Sequence, residues 1–182
     1  GISPFELMDA AAACSSIGSN GVIYLPYLSG ERSPIWNSHA RGVFFGLSDH
    51  STYGDIVRSV LEGVAFSFRD NLAAMESATQ TAASDLFLGG GGSRSRLWTQ
   101  ILADVLNRTI IVPKVAETET LGGIILAGCK IGIWSTIHEA VNCLVVPDYE
   151  VFPREHAVAV YQNQFELFKS LYEAVAPLFE KA

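Results

Sequence analysis

Four consecutive glycines, Gly89–Gly92, join the short apolar run Asp85-Leu86-Phe87-Leu88 to a segment of helical periodicity that begins at Ser95. Residues without a Cβ let the backbone turn freely and let another group approach the chain closely. The run before the glycines has the length and composition of a strand. The helix after them directs its unpaired amides and positive dipole end back toward the turn. Strand, glycine turn and helix N-terminus, in that order, are expected to form a nucleotide site within an α/β fold.

The flanking periodicities extend this pattern. Val22–Leu25 reads as a strand stopped by Pro26, and Gly42–Leu47 as a second. The irregular connection Tyr27–Arg41 between them is long enough to be either functional or pinned by buried side chains. Thr52-x-x-Asp55 has the form of a capping box and opens a long helix. In that helix Ile56, Val57, Val60, Leu61, Val64, Phe68, Leu72 and Met75 recur at helical spacing and are assigned to the core. Gly63 inside it signals close packing on a neighbouring backbone.

After the glycines, Leu97, Trp98, Ile101, Leu102, Val105 and Leu106 form the inner face of a helix closed by Asn107. Thr109–Val112 is a strand. Glu117-Thr118-Glu119-Thr120 starts a helix in which Gly122, Gly123 and Ala127 are expected to allow tight packing. Glu117 and Glu119 read as helix-start acids rather than metal ligands. From about Arg154 to Glu180 an amphipathic helix carries Val158, Tyr161, Phe165, Phe168, Leu171, Tyr172 and Val175. Strand and helix alternate over residues 43–128, so helix crossovers and some parallel strand pairs are expected. The whole chain, 1–182, reads as one domain with a helical tail over 133–182.

Composition excludes several classes. The chain is 49% hydrophobic and 17% charged with a net charge of −7, which argues against disorder and gives no basic footprint for nucleic acid or an anionic membrane. No apolar run reaches membrane-spanning length. Cys14, Cys129 and Cys143 are scattered without paired spacing, and the four histidines lack ligand spacing. Neither a disulfide framework nor a metal site is expected, and a reducing, cytoplasmic setting fits best. The chain starts at Gly1 rather than Met, so a piece of a longer protein is expected.

Two phosphate motifs fail on the glycine run. A Walker A loop needs Gly-Lys-Ser/Thr, whereas Ser93-Arg94-Ser95 follows here. A dinucleotide fingerprint needs glycine at 94 or 95, where Arg and Ser stand, and Thr109–Val112 supplies no ribose-binding acid. A third pattern is the Gly-Gly turn that holds adenosine in the second domain of actin-like ATPases. The run Gly90–Leu106 resembles the second signature of the FGGY carbohydrate kinases. Tyr27–Pro34 and Ala40–Leu47 are similar to the xylulose-kinase branch of that family, and Leu61–Phe66 to its long helix. Pro34-Ile35-Trp36-Asn37 also fits the gluconate-kinase branch.

The resemblance covers about Gly21 to Gly132. It implies an actin-like ATPase (ribonuclease H-like) second domain, incomplete at its N-terminal side. It also implies ATP with Mg²⁺ as cofactors and transfer of the γ-phosphoryl group to a hydroxyl of a sugar or polyol, xylulose first, gluconate or another polyol as the alternative. Gly90, Gly91, Gly92 and Ser93 are the implied adenosine contacts, and Arg96 the implied polar residue near the adenine. The resemblance implies no catalytic residue within the chain, since the family's sugar site and catalytic Asp sit mainly in the N-terminal domain and at its edge. Glu31 and Arg32 read as a loop pinned by ion pairs. On this reading the chain alone binds ATP or ADP weakly and phosphorylates nothing, and an unpaired sheet edge opens a route to a homo-oligomer. A non-catalytic actin-like nucleotide-binding domain is the reading of a different class.

Overall fold

A computed structural model describes residues 1–181 of the 182. Helix α1 (Pro4–Ala13) is followed by strands β1 (Ile23–Leu25) and β2 (Val43–Phe45), then by the long helix α2 (Tyr53–Thr79). Next come β3 (Asp85–Phe87), α3 (Arg96–Leu106), β4 (Thr109–Pro113), α4 (Thr118–Lys130), α5 (Ile137–Leu144), β5 (Pro147–Val151) and α6 (Glu155–Phe179). Strands β1 and β2 form an antiparallel ribbon, Tyr24 opposite Phe44. The other three form a sheet in the order β3-β4-β5. There β3 and β4 are parallel, Leu86 opposite Ile110, as a strand–helix–strand crossover through α3 requires. β5 runs antiparallel to β4, with Val112 opposite Tyr149.

The core lies between these strands and helices α2, α3 and α6. Ile101, Leu102 and Val105 of α3 pack with Ile110 and Val112 of β4, and with Phe165 and Phe168 of α6. Three of the expected local signals are present in full. Thr52 and Asp55 close the capping box at the start of α2. Asn107 ends α3 in the left-handed conformation, φ 49° and ψ 49°. A Cβ built on Gly63 would lie 2.2 Å from the Tyr24 carbonyl oxygen, so α2 rides directly on the backbone of β1.

The inward face of α2 differs from the expected stripe. Val57, Ala65 and Phe66 are buried, but Ile56, Phe68 and Met75 are 37%, 48% and 64% exposed. In their place Asp55, Arg58, Ser59 and Glu62 point inward. The buried face is thus turned around the helix from the stripe, sharing Val57 with it, and it tolerates these polar groups because they are fully bonded. Arg58 donates to Glu62, to the carbonyls of Ala12 and Ser15, and to the Tyr161 hydroxyl. Glu62 also accepts from Tyr161, from Ser19 and from the Gly18 amide. Asp55 accepts from Ser15, Asn20 and Thr52. Among the described residues no buried side-chain nitrogen or oxygen lacks a partner. A buried polar group so satisfied carries little penalty, and a small residue such as Gly63 beside it brings the helix closer than the larger apolar stripe would.

Three further expectations are corrected. The segment 133–182 is not helical throughout: β5 interrupts it and joins the main sheet. Pro147 at its start and the alternation of half-buried Tyr149 and Val151 with exposed Asp148 and Glu150 are strand features. Gly122 and Gly123 do not mediate tight packing, since a Cβ at either would meet nothing within 4 Å; the close contact in α4 is Gly128 on the Trp134 ring. Glu31 and Arg32 make no ion pair among the described residues. Their loop is held instead by paired backbone bonds between Glu31 and Asn37 and by Asn37 donating to the Tyr172 hydroxyl at 3.0 Å.

Candidate functional site

The glycine turn leaves β3 and packs at once against the start of α4. A Cβ on Gly89 would fall 2.2 Å from Cγ2 of Thr118, so a side chain there would drive the two segments apart. Gly90 has φ +78° and ψ −173°, an extended positive-φ conformation that only glycine adopts readily. Its polar atoms are consumed within the protein: the amide donates to the Ala116 carbonyl at 2.7 Å, and the carbonyl accepts from the Ser93 amide and hydroxyl. Gly91–Arg94 then form a single 3₁₀ turn. The first amides of such a turn have no acceptor inside it, which leaves Gly91 and Gly92 as free donors.

The turn has a floor as well as a rim. Trp98 lies beneath it, its Nε1 3.0 Å from where a Gly92 Cβ would be. Its ring packs on the core and faces Phe68. The Ser95 hydroxyl caps α3 by accepting from the Trp98 amide. Ser93 is 5% exposed, and its carbonyl accepts from the Tyr149 hydroxyl at 3.2 Å. The Arg96 guanidinium carbon lies over the Tyr149 ring, 3.3 Å from its centre.

Between this turn and α4 is a hollow of about 360 Å³. Gly90, Gly91 and Arg94 form one wall, and Ala116 to Thr120 the other. A Cβ on Gly90 or Gly91 would meet nothing within 4 Å, so the backbone there opens directly onto the hollow. Glu117 at the start of α4 makes no side-chain cap, and the first amides of that helix also lack intrahelical acceptors. Arg94 Nη2 donates to Glu117 Oε1 at 3.0 Å across the mouth, both side chains well exposed. A second hollow, about 490 Å³, lies where α3 ends and α6 begins. Its lining of Asn107, Pro153, Glu155, Val158 and Ala159 offers one carboxylate and no glycine turn.

The chemistry of the first hollow fits a nucleoside better than a chain of phosphates. Its one lining cation, Arg94, is already paired with Glu117, and Glu119 adds a second carboxylate. Carboxylates and threonine hydroxyls accept hydrogen bonds from ribose hydroxyls, whereas carboxylates repel phosphate. The bare Cα faces of Gly90 and Gly91 allow a flat base to lie against the backbone. A metal finds no such cradle: among the described residues no group of three or more His, Cys, Asp or Glu side chains converges.

Of the residues singled out from sequence, Gly90 and Gly91 line the hollow. Gly92 and Ser93 complete the turn behind them, and Arg96 stands apart on Tyr149. The opposite wall escaped sequence reasoning because Glu117-Thr118-Glu119-Thr120 carries an ordinary helix-start pattern. Tyr149 escaped it because its short strand sits within a stretch, 133–182, that reads as a helical tail.

Comparison with known proteins gives a consistent picture. The family described as the FGGY family of carbohydrate kinases, C-terminal domain, matches residues 4–131. The chain is 33% identical over 174 residues to a xylulose kinase of Staphylococcus epidermidis, covering 96% of this chain and 35% of that protein. It is 29% identical over 175 residues to a gluconokinase of Bacillus subtilis, covering 94% of this chain and 33% of that protein. Among solved structures, a ligand-bound xylulose kinase from Lactobacillus acidophilus superposes with a TM-score of 0.88 at 30% identity, covering 98% of this chain and 36% of that one. A gluconate kinase from Lactobacillus acidophilus gives 0.87 at 30% identity with the same coverage. The chain thus spans about a third of the length of these relatives.

Proposed function

The chain belongs to the FGGY family of carbohydrate kinases, and from that membership we propose that it is the nucleotide-holding part of an enzyme that phosphorylates a sugar with ATP. Its α/β fold is of the actin-like ATPase, ribonuclease H-like type. D-xylulose is the first acceptor in this proposal, in line with the relatives named above, and gluconate the second.

One observation carries the reading: a glycine turn with free amides faces a helix N-terminus across a hollow that opens at Gly90 and Gly91. In this proposal Gly90 and Gly91 lie against the adenosine. The Gly91 amide donates to it, Gly92 completes the turn over Trp98, and Ser93 keeps the turn closed through its bonds to the Gly90 carbonyl. Arg96 supports the turn from the side, on Tyr149. Glu117 and Glu119 are the ribose acceptors. ATP supplies the phosphoryl group, and Mg²⁺ travels with its phosphates, for which the described residues offer no carboxylate cluster. The sugar and the base that deprotonates its hydroxyl belong to the remainder of the enzyme, and closure around both substrates excludes water. Among the described residues no helix is long and apolar enough to cross a membrane.

Titration of ADP by calorimetry into the protein and its Gly91→Val variant tests the site. A valine side chain fills the open space, and affinity is expected to fall at least tenfold, which is about 1.4 kcal/mol. Equal affinity would remove the glycine turn from the site. ATP consumption with D-xylulose and with gluconate, in the enzyme carrying this chain, separates the two acceptors. Consumption of ATP with another polyol instead would make it a different FGGY polyol kinase, and a protein that binds ADP and phosphorylates none of them would be a non-catalytic member of the fold.

A further inference from the structure

The glycine turn is held by a residue far from it in sequence. The Tyr149 hydroxyl donates to the Ser93 carbonyl at 3.2 Å across 56 residues. Ser93 in turn closes the turn on Gly90 through both its amide and its hydroxyl, at 3.2 and 2.7 Å. Tyr149 is itself fixed from two sides. Its backbone is in register with Val112, which is 4% exposed in the core. Its ring bears the Arg96 guanidinium at 3.3 Å, a stack that restrains the ring's rotation and anchors it to the first turn of α3. The 3₁₀ turn is thus tied to both β5 and α3, while its outer side, at Gly91, faces open space.

Glycine amides bind well only if they are already aimed, because four residues without side chains lose much conformational freedom when they are ordered. Nothing within the turn supplies that order on the outer side. We propose that Tyr149 is a positioning residue for the nucleotide: through the Ser93 carbonyl it holds the turn so that Gly91 presents its amide at the hollow, and Arg96 holds the Tyr149 ring. The inference rests on the reading of the hollow as a nucleoside site.

Tyr149→Phe tests it, because phenylalanine keeps the ring and the stack and deletes only the donor. ADP affinity is expected to fall about fivefold, the equivalent of one hydrogen bond. Amide exchange at Ser93 and Ser95, whose amides close the turn on the Gly90 and Gly92 carbonyls, is expected to quicken in the ligand-free protein, with exchange in α6 unchanged. Arg96→Gln, at an exposed position, removes the stack and is the second arm should the first variant fold poorly. It is expected to weaken ADP about twofold in the same direction. A lower melting temperature with unchanged ADP affinity would make Tyr149 merely structural and overturn the proposal. So would unchanged affinity in both variants while Gly91→Val binds weakly. If Gly91→Val itself binds as well as the parent, the site reading fails first and this inference falls with it.

Discussion

Arg58 Nε donates to Glu62 Oε1 at 2.7 Å, one helical turn apart, with the two side chains only 4% and 3% exposed. Removing one partner leaves the other as an uncompensated buried charge. Glu62→Ala is therefore expected to lower the unfolding free energy by roughly 3–5 kcal/mol in chemical denaturation. The double change Arg58→Met with Glu62→Leu is expected to cost clearly less than the sum of the single changes, because no charge is then stranded. Additive costs would show that the pair is not coupled.

Asp55 supplies a pH dependence of known sign. Hydrogen bonds from the Ser15 hydroxyl, then from the Thr52 backbone and hydroxyl, hold its carboxyl down from 3.8 to about 2 despite the desolvation that opposes them. Stability from this group is complete above pH 3.8 and is lost as pH falls through about 2. Asp55→Asn is expected to be less stable than the parent at neutral pH, with the gap closing between those two values. A gap that persists at the acid end would refute the assignment.

Gly63→Ala is expected to destabilise strongly although alanine is the better helix former. The added Cβ would lie 2.2 Å from the Tyr24 carbonyl oxygen, which is backbone of β1 and has no room to yield. Thermal melting would read the loss. A variant that melts at or above the parent would mean that α2 does not ride on β1 this closely.

Two carboxylates paired with arginine separate by burial. Asp104 is fully buried and accepts from the Arg154 amide, Nε and Nη2 at 2.8, 3.1 and 2.6 Å, which docks the start of α6 on α3. Glu117 pairs with Arg94 in the open, both side chains more than half exposed. Asp104→Ala is expected to cost about 3 kcal/mol, while Glu117→Ala leaves stability unchanged within error and weakens ADP. Denaturation and calorimetry on the same two variants check both halves.

Much of the fold was legible because its signals are local. The Thr52–Asp55 cap, the Asn107 stop and the glycine turn each depend on residues a few positions apart. What remained hidden depends on partners far away. Arg58 and Glu62 at helical spacing look like an ordinary solvent-facing pair until Tyr161, Ser19 and Gly18 close around them. The apolar stripe shares Val57 with the buried face but runs out to exposed Phe68 and Met75, because periodicity reports a face and not how far the helix is turned toward its neighbours. On the site, Gly90 and Gly91 were readable as a turn with room for a ligand. The opposite wall at Thr118 and the support at Tyr149 depend on how β3, α4 and β5 come together, and no short spacing in the sequence encodes that.

The Arg58–Glu62–Tyr161 cluster joins a helix near the start of the chain's fold to its last helix, across 103 residues. If α6 detached while the rest stayed folded, it would take the Tyr161 hydroxyl with it and leave Arg58 and Glu62 short of a partner in a dry interior. Peeling away the C-terminal helix is therefore no cheap first step. The molecule should resist nicking by proteases until it opens as a unit, and the cut pattern should pass from intact chain to small peptides with no long-lived core lacking α6.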